Sequence, residues 1–145
     1  MALYRFLSFT AGDYMSKAPK SLPPGMNLRE AESLFETLDF NSFPVTQDGK
    51  VVGIISKFDF LKAFAFTTQQ MVPNYEELMT KTVGDIMTRS VITVEPDAHL
   101  TRVLQLMVSM RARSFPVVSA DGRLEGMISR TNIMRALKDA VKAGA

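Results

Sequence analysis

The chain is an internal tandem repeat, and this repeat restricts the possible folds more than any other feature of the sequence. When the sequence is shifted by 72 residues, D-x-M at 13–15 meets D-x-M at 85–87, and SFPV at 42–45 meets SFPV at 114–117. One inserted residue then brings the remainder into register, and about 15 of 51 aligned positions are identical. These identities fall on turn residues, apolar positions and one serine. The pattern predicts two copies of one structural unit.

Each copy has the same order of predicted elements, which is clearest in the second. The β-branched run SVITV (90–94) predicts a strand, and apolar residues at helical spacing from 100 to 110 predict a helix. SFPVV (114–118) and RLEGMIS (123–129) then flank an Asp-Gly turn signal, which predicts a hairpin, and a second helix follows. The unit is therefore strand, helix, strand, strand, helix.

The repeat predicts an α+β fold made of two pseudo-twofold-related β-α-β-β-α repeats packed through their sheets. One copy of about 50 residues is small for an independent core, whereas two copies can share one. We expect a first repeat with its N-terminal segment at 1–66, a connector at 67–81 and a second repeat at 82–145. The connector contains Pro73 and many polar residues, with a short helical turn expected at Tyr75–Met79.

Composition excludes several classes of function. The charges are nearly balanced, with 17 Lys+Arg against 15 Asp+Glu, so no basic surface for nucleic acid is expected. The absence of cysteine excludes disulfides and thiolate chemistry, and a single histidine, His99, cannot build a multi-histidine metal site. No stretch approaches the roughly 20 apolar residues of a membrane span, and Arg5 interrupts the apolar N-terminus, which argues against a secretory signal. We therefore expect a cytoplasmic protein with no membrane partner.

Two related stretches, GIISKFD (53–59) and GMISRTN (126–132), carry the residues most suited to ligand chemistry. Ser56 and Ser129 lie where a strand should end and a helix begin, and a helix N-terminus favours phosphate. Asp59 can accept hydrogen bonds from two vicinal hydroxyls, which a ribose provides. The same spacing also fits a helix-capping box, with serine as the cap and an acid three residues later. Both roles remain open for these residues.

The ordered set D-x-M, F-P-V, D-G and G-x-I-S-x-x-D/N, present twice, resembles the cystathionine β-synthase (CBS) domain, and two copies in tandem resemble a Bateman module. The resemblance covers about residues 13–143. It implies a regulatory module without catalysis or an obligatory cofactor. It further implies an adenosine-type ligand (AMP, ADP, ATP or S-adenosylmethionine) that lies between the two repeats. Family members commonly form homodimers, and the excess of phenylalanine at 58–66 agrees with this expectation.

The resemblance also implies the positions of the ligand-binding residues. The serine of each S-x-x-D/N motif would bind phosphate, the acidic or amide residue would bind ribose, and backbone groups would hold the base. Arg113 precedes one of these segments and is the basic residue that we expect to meet phosphate. The expected set is Ser56, Asp59, Ser129, Asn132, Met15, Ser42, Phe43, Met87, Arg113, Ser114 and Phe115.

Two functions remain in competition at this point. The first is a nucleotide-responsive regulatory module that signals to a separate, unknown effector protein. The second is a structural or dimerisation module that needs no ligand. An enzyme has little support, because the sequence has no phosphate-binding loop and no pair of histidines. We also expect the motif with Asp59 to bind a ribonucleotide more tightly than the motif with Asn132, since hydrogen bonds to a charged group are the stronger ones.

Overall fold

The structure is a computed structural model that describes residues 4–38, 40–65 and 75–143. Its helices and strands are, in chain order, α1 (Tyr4–Ser8), α2 (Ala11–Tyr14), β1 (Ser16–Lys17), α3 (Leu28–Leu38), β2 (Ser42–Gln47), β3 (Lys50–Ser56), α4 (Lys57–Ala65), α5 (Tyr75–Met79), α6 (Val83–Ile86), α7 (Leu100–Met110), β4 (Ser114–Val118), β5 (Leu124–Ser129) and α8 (Arg130–Ala143). The mixed class expected from the sequence is confirmed. The predicted helical turn in the connector is also confirmed, as α5, whereas 66–74 lie outside the described residues.

The chain divides into two compact units that do not coincide with the sequence repeats. One unit consists of Lys20–Val91 and is called the central unit below. The other, called the N/C unit, combines Met1–Pro19 with Ile92–Ala145. The segment that opens each repeat in the sequence is therefore grouped with the hairpin of the other repeat. The repeat boundaries at 66 and 82 remain a prediction about the repeats and do not describe the compact units.

The central unit is built on the antiparallel hairpin of β2 and β3. Side chains alternate between the two faces of a strand, and one face of this hairpin is turned to the core. Phe43 and Val45 of β2 and Ile55 of β3 are buried there. The amphipathic helix α3 covers them with Leu28, Ala31 and Phe35, and the residues of α5 and α6 complete the core. Asn27 caps the N-terminus of α3, because the Glu30 backbone N–H donates to Asn27 Oδ1 at 2.9 Å.

The N/C unit repeats this arrangement with a third strand. β4 and β5 form the hairpin, and the short β1 pairs antiparallel with β5 through Ser16 opposite Met127. Phe115, Val117 and Ile128 form the sheet side of the core, and α7 and α8 pack on it. Phe6 and Ala11 of the N-terminal helices are buried in the same core. His99 is the exposed residue directly before α7.

The strand predicted at 90–94 is wrong in its length. Only Val94 pairs, in a single parallel bridge to Val117, with its N–H donating to Pro116 O at 3.0 Å and its carbonyl accepting from Val118 N at 2.9 Å. Ile92 is exposed, and a turn closed by Ala98 N and Glu95 O follows at once. The β-branched residues at 90–94 favour a strand, but only one of them has a strand neighbour.

The two Asp-Gly turns differ for a reason visible in the sequence. In the central unit Asp48 and Gly49 both have positive φ, 54° and 81°, and they form a two-residue turn between Gln47 and Lys50. This backbone matches the twist of a hairpin. The inserted residue of the second repeat widens the equivalent loop, where Gly122 alone of the Asp-Gly pair has positive φ, 87°.

Candidate functional site

Ser56 and Asp59 form a reciprocal hydrogen-bonded box at the junction of β3 and α4. The Ser56 backbone N–H donates to Asp59 Oδ2 at 2.7 Å, and the Asp59 backbone N–H donates to Ser56 Oγ at 3.2 Å. The Ser56 hydroxyl also donates to Asp59 Oδ2 at 3.0 Å. This is the capping-box geometry that the spacing allowed. It leaves the second carboxylate oxygen to face other groups.

That second oxygen is engaged by residues that sequence reasoning did not select. Asp59 is only 3% exposed, and Thr88 Oγ1 donates to its Oδ1 at 3.1 Å. Lys62 Nζ lies 3.4 Å from the same oxygen. The sequence held a signal for Thr88, since it directly follows D-x-M and Ser16 occupies the equivalent place in the other copy. Asp59 thus already accepts from four donors, about as many as a carboxylate can serve.

Ser129 and Asn132 build the same box at the junction of β5 and α8, but with one group left over. Asn132 Oδ1 accepts from Ser129 N at 2.7 Å and from Ser129 Oγ at 2.9 Å. Asn132 is 5% exposed, and no residue in the described part of the chain accepts from its Nδ2. The described residues contain no fully buried polar side-chain atom without a partner, so Asn132 Nδ2 is an amide donor that reaches solvent and has no acceptor among those residues.

The hairpins bring the expected base-binding segments to these boxes. Ser42 lies opposite Ser56 in the register of β2 and β3, and Ser114 lies opposite Ser129 in that of β4 and β5. The two serines at the strand starts are half-buried. The phenylalanines that follow them, Phe43 and Phe115, point into the two cores and are buried. Only backbone groups of the phenylalanines are therefore placed to meet a ligand.

Met15 and Met87 each pack on the hairpin of the other sequence repeat. A Cβ added to Gly53 would lie 2.6 Å from Met87 Sδ, and one added to Gly126 would lie 2.6 Å from Met15 Sδ. Met87 consequently belongs with Ser56 in the central unit, and Met15 belongs with Ser129 in the N/C unit. Sequence order alone would have grouped Met15 with Ser56.

The basic residues beside the Ser129–Asn132 box of the N/C unit are arranged around Arg130. Its Nε donates to Ala112 O at 3.0 Å and its Nη2 to Arg111 O at 3.2 Å. Its backbone N–H donates to Arg113 O at 3.1 Å. Arg111 ends α7 in the left-handed conformation, with φ 54°. Arg130 thus fixes the loop that carries Arg111 and Arg113 beside the start of α8.

Asp85 on α6 and Tyr14 on α2 are side chains with a shifted pKa that lie on short helices. The hydrogen bond from the Thr82 backbone N–H, and to a smaller extent that from the Thr82 side chain, lowers the pKa of Asp85 below its ordinary value. Burial and then the hydrogen bond to Asp139 raise the pKa of Tyr14. Arg135, which stands where the central unit has Lys62, donates instead to Tyr14 O at 3.2 Å.

The described residues contain no group of three or more His, Asp or Glu side chains that could hold a metal ion. Among the same residues, no helix is long and apolar enough to cross a bilayer.

The fold and the two boxes agree with one class of protein. The CBS domain family model matches residues 11–66 and 83–139. The chain belongs to the CBS domain family and contains a tandem pair of these domains. The resemblance stated from the motifs is therefore confirmed.

Several known proteins are similar to this chain. CBS domain-containing protein CBSX1, chloroplastic, of Arabidopsis thaliana is 29% identical over 94% of this chain and 67% of its own length. The crystal structure of CBSX2 in complex with AMP matches with a TM-score of 0.78 and 30% identity, over 90% of this chain and 97% of that one. The CBS domain pair of protein MJ0100 in complex with 5′-methylthioadenosine and S-adenosyl-L-methionine matches with a TM-score of 0.73 and 28% identity, over 90% and 97% of the two chains. The chain spans 63% of full-length CBSX2 from Arabidopsis thaliana, chloroplastic.

Proposed function

We propose that this protein is a nucleotide-responsive regulatory module that binds adenosine-type ligands at its two Ser-x-x-Asx boxes. The observation that carries the proposal is the repeated box itself. In each unit a half-buried serine hydroxyl and a nearly buried Asp or Asn side chain lie at the start of a helix, beside the first residue of a hairpin strand. Similar CBS pairs hold AMP or S-adenosylmethionine, which supports an adenosine ligand here.

The chemistry of each box suits a ribose phosphate. The N-terminal turns of α4 and α8 favour a phosphate. The hydroxyls of Ser56 and Ser129 would donate to it by giving up their present bonds to Asp59 Oδ2 and Asn132 Oδ1. Asp59 can accept from ribose hydroxyls, and Asn132 can offer Nδ2 to one of their oxygens. The backbone at the strand starts, with Met15 or Met87 nearby, would hold the base. No step of this proposal breaks or forms a covalent bond.

The two boxes should not be equally easy to occupy. A diol that approaches Asp59 must displace a donor already present, either Thr88 Oγ1 or Lys62 Nζ. The amide of Asn132 can engage a ligand without such an exchange. The tighter binding that we expect at Asp59 therefore stays a prediction, and the geometry introduces a cost that opposes it.

Calorimetry and thermal shift with AMP, ADP, ATP, S-adenosylmethionine and NAD test the proposal, with GMP as the control for the base. Ligand at 100 times its Kd should add about 2.7 kcal/mol to the free energy of unfolding. Ser56→Ala and Ser129→Ala should each weaken binding at one box. Ser109→Ala is the matched control, because its hydroxyl donates only to Leu106 O on the exposed face of α7. If no adenosine compound shifts the unfolding transition, the ligand-independent structural module becomes the better account.

We propose further that the protein acts as a homodimer. Leu61 on α4 and Met134 on α8 occupy the same position of the repeat, and they are 64% and 69% exposed. Phe58 is also largely exposed, whereas Phe60 packs edge-on against Phe35 at 5.5 Å. An exposed apolar position that recurs in both repeats supports a second copy as its cover. A separate effector protein and a cytoplasmic location stay predictions.

A further inference from the structure

We infer that the two boxes differ in the phosphate chain that they select, and that the N/C unit prefers ligands with a polyphosphate such as ATP. This inference rests on the proposed adenosine function and concerns the same site. It assigns the preference to the loop at 111–113, which lies between α7 and β4.

The loop is held in place beside the Ser129 box. Arg130 is the first residue of α8, directly after Ser129, and it bonds through its side chain and backbone to the carbonyls of Arg111, Ala112 and Arg113. The loop itself carries the side chains of Arg111 and Arg113, and the Arg130 guanidinium is hydrogen-bonded to its carbonyls. Three arginines therefore lie at the N-terminus of a 14-residue helix. Arg111 and Arg113 are exposed, and neither has an acidic partner in the described part of the chain.

The equivalent positions of the central unit have no such charge. In the repeat register, the three arginines correspond to Asp39, Asn41 and Lys57. The acid and the lysine cancel, whereas the arginines contribute three positive charges. Asp59 and Lys62 likewise pair with each other, whereas Asn132 is neutral and its amide nitrogen has no acceptor among the described residues.

Arginine is well suited to the end of a phosphate chain. Its planar group can donate two parallel hydrogen bonds to a phosphate and remains charged at any ordinary pH. The N-terminal turn of α8 favours the first phosphate, and Ser129 can donate to it once its hydroxyl turns from Asn132 Oδ1, so that the later phosphates would extend toward the loop. Removing one charged hydrogen bond should cost about tenfold in affinity or more. Adenosine and AMP lack the groups that would reach Arg111 or Arg113.

The test is calorimetric titration of the full chain with adenosine, AMP and ATP in the absence of magnesium. For Arg113→Asn, the ratio of ATP affinity to adenosine affinity should fall about tenfold. Arg111→Asn should act in the same direction, and asparagine tolerates the left-handed conformation of that residue. The reverse change, Asn41→Arg, should raise the ratio. Arg123→Asn is the matched control, since this exposed arginine pairs with Asp121 in the loop at the far end of the hairpin.

A ratio that stays at the parent value in both arginine variants would overturn the inference while leaving adenosine binding intact. Inorganic tripolyphosphate separates the two proposals further. If it binds to the parent and not to Arg113→Asn although no adenosine compound binds, the phosphate preference stands and the proposed function fails. If neither tripolyphosphate nor any nucleotide binds, both fail. Added salt should reduce the ATP preference, because it screens exposed charges.

Discussion

Asp59 and Asn132 show how a single atom changes the surroundings of two otherwise equivalent residues. The carboxylate attracts Thr88 and Lys62 to its second oxygen, whereas the amide nitrogen of Asn132 can only donate. The alternatives left open by the sequence are therefore not exclusive. The capping box exists in both units, and whether the same residues also bind ribose stays a prediction.

Asp59→Ala should destabilise the protein as well as weaken ribonucleotide binding. The change leaves the backbone N–H of the half-buried Ser56 and the hydroxyl of the exposed Thr88 without their acceptor, and it removes the nearly buried carboxylate that joins them. We expect a loss of about 1–3 kcal/mol in the free energy of unfolding, measured by urea denaturation. Asp59→Asn should lose less, because it reproduces the arrangement seen at Asn132.

Binding measured on the same variants separates the two roles of Asp59. A variant that unfolds more easily but binds AMP like the parent would make Asp59 a structural cap alone. An Asp59→Ala protein as stable as the parent would instead contradict the interpretation of its buried hydrogen bonds.

At the scale of elements, the contact of each D-x-M segment with a glycine of a hairpin strand determines which segments make up each unit. Gly126 of β5 lies under Met15 and the Ser16 carbonyl, and Gly53 of β3 lies under Met87 and the Thr88 carbonyl. Each pair of segments also shares backbone pairing, through β1 on β5 and through the Ile54–Thr88 bridge. A side chain at either glycine would separate them.

Gly126→Ala should therefore destabilise the N/C unit by about 1–3 kcal/mol, since an added methyl group overpacks a close contact. Its Cβ would lie 2.8 Å from the Ser16 carbonyl oxygen, which is backbone and cannot move aside cheaply. Gly25→Ala is the control, because nothing lies within 4 Å of the added atom there. Thermal unfolding measures both. Equal melting temperatures for the two variants would show that β1 does not approach β5 as closely as described.

At the scale of the whole molecule, the exposed apolar side chains of α4 and α8 bear on self-association. Sedimentation equilibrium at tens of micromolar should give a mass about twice the monomer value of 16.1 kDa. Leu61→Glu combined with Met134→Glu should shift the protein toward monomer, because both positions are exposed and a charge there opposes burial in an interface. The control is Val108→Glu, an equally exposed position on α7. A parent protein that sediments only as a monomer would remove the dimer from the proposed function.

Sequence alone determined the features that depend on neighbouring residues. The repeat, the hairpins, the Asp-Gly turns and the two Ser-x-x-Asx boxes all follow from local spacing and turn chemistry, and the structure contains each of them. Of the phenylalanines at 58–66, Phe58 is exposed, whereas Phe60 and Phe64 pack against the core of the central unit, and Phe66 lies outside the described residues.

Only the tertiary structure decided which distant segments meet. Met87 packs in the unit that holds Ser56, and Arg130 holds the 111–113 loop, through contacts between residues that are far apart in sequence. Thr88 and Lys62 engage Asp59 because of side-chain directions that spacing cannot specify. The shortening of the 90–94 strand has the same cause. A strand needs a neighbour to bond with, and a single sequence records the β-branched residues but not how many of them have one.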